Sequence, residues 1–347
     1  MRAKKPRMGR IKLTIKDIAR ESGYSVSTVS RVLNNRRDVS PEARARIMEV
    51  VDLHNFQLNN NAKQLKQIQS KTIAVIVKGS SNMLFSSIVE EIQKMIEKTK
   101  YTVSIFYLDE NDNEVEYALK LCRECKPLGI LFLGGNPSFF EVRFEKVKVP
   151  CVLVTNSGAE LNYENLSSVC IDDSEAAKCA VDYLISNGHK KIAIIGGDPK
   201  MSYTSQLRLQ GSQRSFTEHG IDFDESICYE KARYSYDSGY RAMERLLEKK
   251  EDITGVFAMS DVMAIGAIRA LKDHNMNVPE QVSVIGFDGI TIGNFYNPKL
   301  ATIQQKSKTL ADESVRILMD MVESDESAVH KQVPFELVTG ESIRSLV

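Results

Sequence analysis

Short apolar runs rich in β-branched and aromatic residues recur through most of the chain. They fall at Ile73–Val77, Val103–Leu108, Gly129–Leu133 and Cys151–Val154, each separated from the next by a polar or amphipathic stretch long enough for a helix. Alternation of this kind specifies an α/β fold with parallel sheets, because an apolar run needs cover on both faces and the helices supply it. The pattern repeats with similar spacing at Ile192–Ile195, more weakly near Ser226–Tyr229, and again at Val256–Met259 and Val282–Phe287. Two similar lobes follow, with a cleft between them at the carboxyl ends of the strands, where open α/β sheets bind ligands.

The repeat starts only near residue 71, and what precedes it has a different character. The 347-residue chain has no net charge, yet Met1–Lys66 carries 15 Lys and Arg against 6 Asp and Glu, leaving 31 against 40 in the remainder. A basic head on an acidic body is an electrostatic footprint for nucleic acid, and the body's like charge keeps it off the duplex. The basic residues do not form a low-complexity tail. In Ile15–Asn34, IKDIARESGYSVSTVSRVLN, apolar or small residues at Ile15, Ile18, Ala19, Val29, Val32 and Leu33 flank Gly23. This spacing predicts helix, tight turn, helix. Gly23 supplies the positive φ of the turn, Ser25 caps the second helix, and Val29, Val32 and Leu33 form its buried stripe. Ser27, Ser30, Arg31 and Asn34 lie on the opposite face, short polar groups and one Arg that fit a major groove about 12 Å wide. A third helix follows, with Ser40 as cap, Pro41 in its first turn, and Ala43, Ile47, Val50 and Val51 facing inward. These features predict a helix-turn-helix head.

The run TIKDIARESGYSVSTVSRVLNN, with VSPEARARIMEVVDLHNFQLNNNAKQLKQ after it, resembles the DNA-binding head of the LacI/GalR family of bacterial transcription regulators. The resemblance extends through the body in NGHKKIAIIGG, RLQGSQRSF, SGYRAM, FAMSDVMAIGAIRAL, VPEQVSVIGFDG and FYNPKLATIQQ. It implies a body built like the periplasmic sugar-binding proteins. It also implies that Val26, Ser27 and Arg31 face base edges, while Ser25, Thr28, Ser30 and Asn34 mainly hold phosphates. By the same resemblance a hinge helix carries Ala62, Lys63 and Leu65, and Leu65 wedges into the minor groove. An apolar residue on a short polar segment suits that task, since apolar wedges unstack a base step and bend the duplex. The expected organisation is a helix-turn-helix domain over 1–58, a hinge helix and linker over 59–70, and a two-lobed effector-binding and dimerisation domain over 71–347.

Two residues at predicted strand or helix ends stand out as ligand groups. Asp288, in a G-F-D-G turn, can accept two hydroxyl hydrogen bonds or close an Asx turn; Arg208 can grip a hydroxyl pair or a carboxylate, or lie on the surface. The residues alone leave these readings open. The family resemblance implies that both contact an effector, that Phe85 and Tyr234 pack against it, and that Asp172, Thr204 and Asp261 line the same cleft.

Rival chemistries lack their motifs. Gly196-Gly197-Asp198 has no G-x-G-x-x-G spacing, no phosphate-binding G-x-x-x-x-G-K-[ST] occurs, and the five His residues form no metal-hydrolase pattern. His189 reads as a turn residue. The six cysteines, including the C-x-x-C of Cys122 and Cys125, read as ordinary half-buried thiols. No cofactor, metal or catalytic residue is expected. No apolar run approaches a membrane span, and the basic N-terminus lacks the apolar core of an export signal, so a cytoplasmic location is expected.

The reading is therefore a sequence-specific DNA-binding repressor controlled by a small-molecule effector, a sugar or sugar derivative, and acting as a homodimer on a palindromic double-stranded operator. The alternatives are a sugar-binding transport protein, which needs an export signal, and a sugar-modifying enzyme, which needs a base or nucleophile in the cleft. A dimer is expected over a tetramer because family tetramers carry a C-terminal heptad segment, which Ser342–Val347 does not resemble. Ile88, Ile92 and Ile96 read equally well as a dimer surface or as packing under their own sheet.

Overall fold

Three helices make the head: α1 (Ile15–Ser22), α2 (Val26–Leu33) and α3 (Pro41–Leu53). The computed structural model describes residues 15–33, 36, 39–54, 71–79, 81–249, 252–324 and 326–347. Gly23 turns the chain after α1 with φ +78°. Ser25 Oγ accepts the Thr28 N–H at 3.2 Å, and Ser40 Oγ accepts that of Ala43 at 3.3 Å with Pro41 beginning α3. Ile18, Val29 and Ile47 lose all their exposed surface, with Ala19, Val32, Val50 and Val51 packed around them. Helices as short as α1 and α2 do not persist alone in water, so this small core holds them, at about 1.5–3 kcal/mol per buried aliphatic side chain.

The contacts divide the chain into Met1–Gln69 and Ser70–Val347. The second unit contains two six-stranded sheets. The first sheet is parallel throughout and runs β2 (Thr102–Leu108), β1 (Thr72–Lys78), β3 (Gly129–Leu133), β4 (Cys151–Val154), β5 (Leu166–Cys170), β11 (His330–Gln332). The second runs β7 (Tyr229–Lys231), β6 (Ile192–Gly196), β8 (Gly255–Ala258), β9 (Ser283–Asp288), β10 (Ala301–Gln305), β12 (Phe335–Val338), with only β12 antiparallel. Helices α4 (Met83–Ile96), α5 (Glu114–Glu124) and α10 (Ser307–Ser324) pack in the first lobe; α6 (Asp173–Ser186), α7 (Tyr203–Glu218), α8 (Tyr236–Glu248) and α9 (Asp261–Asp273) pack in the second. The chain passes between lobes three times, after Cys170, after Gln305 and after Gln332.

Two expectations change. Near Ser226 the backbone is a helical turn, Glu225–Cys228, and the strand begins only at Tyr229. Ile88, Ile92 and Ile96 are buried in the first lobe's core, where α10 packs across α4, so they offer no surface to a second copy. Four further strands, β5, β10, β11 and β12, carry a weak or interrupted apolar signature. In β5, LSSVC, the Ser167 hydroxyl lies 3.1 Å from Met321 Sδ and accepts the Val329 N–H at 2.9 Å, while Ser168 Oγ lies 2.8 Å from His330 Nδ1. Distant partners thus satisfy polar groups inside the sheet, which a local pattern does not reveal. The edge strand β11 (HKQ) is polar throughout and β10 (ATIQQ) is polar at three of five positions, while β12 (FELV) is only four residues long and interrupted by Glu336.

Candidate functional site

On the head, α2 carries its apolar stripe inward and leaves Val26 (42% exposed), Ser27 and Arg31 on the outer face, with Thr28 and Ser30 half-buried. The Ser25 hydroxyl, already capping the helix, lies 2.7 Å from Ser27 Oγ and 2.9 Å from Thr28 Oγ1. Three short hydroxyls are thereby fixed at the amino end of the helix, next to backbone N–H groups that favour an anion such as phosphate. Asn34, Ala62, Lys63 and Leu65 lie outside the described residues.

In the body, a cleft of about 1070 Å³ opens at the carboxyl ends of the strands. Its walls include Lys78 at the end of β1, Thr155 after β4, Gly197 after β6, Asp288 at the end of β9 and Gln305 at the end of β10. Arg208, only 4% exposed, projects into it from α7. Gly211, one helical turn further, lets α7 approach α6 closely: a Cβ there would meet the Ser174 carbonyl oxygen at 2.0 Å. This crossing brings Arg208 Nε to 2.7 Å from Asp173 Oδ1. Arg208 Nη1 donates to the Met259 carbonyl, its guanidinium lies 3.6 Å over the Phe287 ring centroid, and Nη2 is 3.9 Å from Asp288 Oδ1. Such buried pairing offsets the cost of removing the charge from water.

Asp288 takes a φ of +109° and accepts a 2.9 Å hydrogen bond from Gln305 Nε2. Burial pushes its carboxyl up to about 6, although Arg208, Gln305 and Asn82 favour the charged form. Burial also raises the Tyr234 phenol, whose oxygen lies 2.9 Å from Ser205 Oγ, and the Arg208 charge and that contact oppose the rise. Thr204 Oγ1 donates to Asn156 Oδ1 at 2.9 Å, joining the second lobe to the first. Phe85 lies in the wall against Gly134, where a Cβ would stand 2.7 Å from its Cζ.

Of the seven expected effector residues, Phe85, Thr204, Arg208, Tyr234 and Asp288 line this cleft, and Asp172 and Asp261 do not. Asp172 caps α6, accepting the Glu175 N–H at 2.9 Å; its neighbour Asp173 turns inward to Arg208. Asp261 is fully buried, accepting the Thr302 hydroxyl at 2.6 Å and the Ile290 N–H at 2.7 Å, so it ties α9 to β10 and the turn after β9. Sequence reasoning missed other lining groups. Lys78 forms a buried 2.8 Å pair with Glu114, and Arg233 bridges from the second lobe to Asp109 and Glu110 of the first. Gln305 sits within the quoted FYNPKLATIQQ, but nothing local marks it as the residue that meets Asp288.

His189 lies elsewhere, buried between Thr254 Oγ1 at 3.2 Å and the Arg344 carbonyl at 3.1 Å, where it fastens the C-terminal segment. None of the six cysteines forms a disulfide; Cys122, Cys179 and Cys228 are half-buried as expected, whereas Cys151 and Cys170 are buried and Cys125 is exposed. Among the described residues no group of three metal-ligating side chains occurs, and no helix is long and apolar enough to cross a membrane.

Residues 14–59 match the sequence profile of bacterial regulatory proteins of the lacI family, and residues 181–343 that of a periplasmic binding protein-like domain. The chain is 37% identical to the HTH-type transcriptional regulator MalR of Clostridium butyricum, over 95% of this chain and 99% of that protein. It is 31% identical to catabolite control protein A of Priestia megaterium, over 88% and 91%. Among solved structures, a complex of the transcriptional regulator CelR with cellobiose superposes with a TM-score of 0.69 at 25% identity, covering 95% of this chain and 99% of that one. The lac repressor dimer bound to operator and the anti-inducer ONPF gives 0.69 at 24% identity, covering 96% and 100%.

Proposed function

The chain belongs to the lacI family of bacterial regulatory proteins, and from that premise we propose that it is a repressor released from or held on its operator by a sugar bound in the interlobe cleft. It is a DNA-binding transcriptional regulator and not an enzyme, as its close relatives are. In this reading Val26, Ser27 and Arg31 contact base edges, Ser25, Thr28, Ser30 and Asn34 hold phosphates, and Ala62, Lys63 and Leu65 act in a hinge over 59–70 that links a head over 1–58 to the body. Phe85, Thr204, Arg208, Tyr234 and Asp288 hold the ligand. The protein works in the cytoplasm as a homodimer, because one short recognition helix reads only half of a palindromic site.

The observation that carries the reading is the Arg208–Asp288–Gln305 group at the floor of the cleft. Gln305 ends β10 in the second lobe, and two residues later the chain enters α10 in the first, so a ligand gripped here acts on a lobe crossover. A ligand that favours one arrangement of the lobes shifts DNA affinity by typically 1–3 kcal/mol. Selection of a DNA site from a random pool, followed by binding titrations with and without sugars, tests the proposal. It fails when no selected site is bound better than random DNA, or when Asp288→Asn leaves an observed sugar response intact.

A further inference from the structure

Resting on the sugar reading above, we infer that the cleft takes an uncharged polyhydroxyl ligand and rejects the phosphorylated or carboxylated forms of the same sugar. The ground is how the cations lining the cleft are matched. Among the described lining residues six are Lys or Arg, and each already has a carboxylate. Lys78 pairs with Glu114 at 2.8 Å, Arg208 with Asp173 at 2.7 Å, and Lys231 with Asp198 at 3.0 Å. Arg233 is held by both Asp109, at 2.6 Å, and Glu110. Arg241 lies 3.3 Å from Asp237, and Arg245 2.7 Å from Glu230.

A phosphate entering this cleft would have to displace a carboxylate from one of these cations and leave that carboxylate facing it. The two deepest cations give the least room for exchange. The side chains of Lys78 and Glu114 are 5% and 1% exposed, and those of Arg208 and Asp173 4% and 3%. Stripping a partner from such a pair leaves an uncompensated buried charge. Asp288 adds a further acidic group 3.9 Å from the same guanidinium, so Arg208 already answers two carboxylates. Gln305 Oε1, buried beside Asp288 with no hydrogen-bond partner, is an acceptor that an O–H donor satisfies and a phosphate oxygen does not. Other polar groups in the wall, among them Asn82, Asn136, Asn156, Thr204 and Tyr234, are neutral amides and hydroxyls of the kind that address sugar hydroxyls. Discrimination then comes from repulsion built around the ligand as well as from attraction to it.

Matched pairs test this on the full-length protein by thermal shift and calorimetry: ribose with ribose 5-phosphate, and glucose with glucose 6-phosphate and glucuronate, alongside cellobiose and the uncharged nucleobases adenine and hypoxanthine. The expected result is that a neutral sugar binds and its charged counterpart binds at least tenfold more weakly. The double variant Asp109→Asn/Glu110→Gln, which takes both carboxylates from the half-exposed Arg233, should narrow that ratio severalfold. A charged counterpart that binds as tightly as the neutral sugar overturns the inference and leaves the sugar reading standing. A nucleobase that binds where no sugar does refutes the sugar reading and the polyhydroxyl part of the inference, and leaves only the preference for uncharged ligands standing. Silence across every compound refutes both.

Discussion

Replacing Asp288 by Asn should make the protein's stability less sensitive to pH, by an amount that the structure sets. In the fold this carboxyl is pushed up to about 6, first by burial and also by the charge of Asp173, against the pull of Arg208, Gln305 and Asn82. In an unfolded chain an Asp titrates near ~3.9, and each pH unit of displacement corresponds to about 1.4 kcal/mol, so the ionised group opposes folding by about 3 kcal/mol. The sign follows from proton counting. Between pH ~4 and ~6 the folded state holds this proton and the unfolded state has released it, so wild-type stability falls as pH rises through that window. Asn cannot ionise, tolerates positive φ, and keeps an oxygen for Gln305 Nε2, although it gives up one acceptor facing Asn82. That lost contact, of about 1 kcal/mol, is a constant offset. Urea unfolding of both proteins at pH 4, 5, 6 and 7.5, followed by circular dichroism, should therefore show the stability of the variant minus that of wild type rising by about 2 kcal/mol across the series, since part of the effect is already present at pH 4. Other titrating groups cancel to first order in that difference. A difference that is flat with pH, or that falls, would refute the account of Asp288 as a buried carboxylate held ionised at neutral pH.

Other perturbations follow from the same geometry. Arg31→Ala should reduce selectivity for a chosen operator over random DNA by about 1–3 kcal/mol while weak, salt-sensitive binding persists, as fluorescence anisotropy on both DNAs would show; equal losses on the two would contradict a base-reading role. Leu65→Ala should weaken specific binding and reduce DNA bending, measured by end-to-end energy transfer, without lowering the thermal midpoint of the body. Arg208→Met should destabilise the second lobe by about 3–5 kcal/mol by leaving Asp173 buried and unpaired, and adding Asp173→Asn should recover much of that loss, a coupling that chemical denaturation of the two variants measures. With Ile88, Ile92 and Ile96 buried, Ile292 (40% exposed) and Phe295 (83% exposed), three residues apart in the second lobe, offer an apolar surface for self-association. Phe295→Glu should lower the mass seen by sedimentation equilibrium from twice 39.0 kDa towards the single chain, and an unchanged mass would place the dimer contact elsewhere.

The head was legible from its sequence because its determinants are local. Gly23 turns the chain, Ser25 and Ser40 cap the helices that follow them, and the stripes of Val29 and Val32 and of Ile47, Val50 and Val51 close on one another. Apolar strands such as β1, β3 and β4 were legible for the same reason, since each carries its burial in its own side chains. Strand β5 was not, because Ser167 and Ser168 are accommodated only by Met321, Val329 and His330, more than 150 residues away.

The cleft shows the division most clearly. Family resemblance selected Asp172, but about 100° of rotation per residue at the start of α6 makes Asp172 the cap and aims Asp173 at Arg208, 35 residues further along. Asp261 looked like a ligand group and proved to be an internal tie to Ile290 and Thr302. The matching of Arg233 with Asp109 and Glu110 joins residues 124 and 123 positions apart on different lobes. Residue type and spacing determined which helices and apolar strands form. Which charges meet was decided only when the two sheets and their crossovers brought distant carboxylates and guanidiniums together, because an ion pair is a property of distance in space and the sequence records distance along the chain alone.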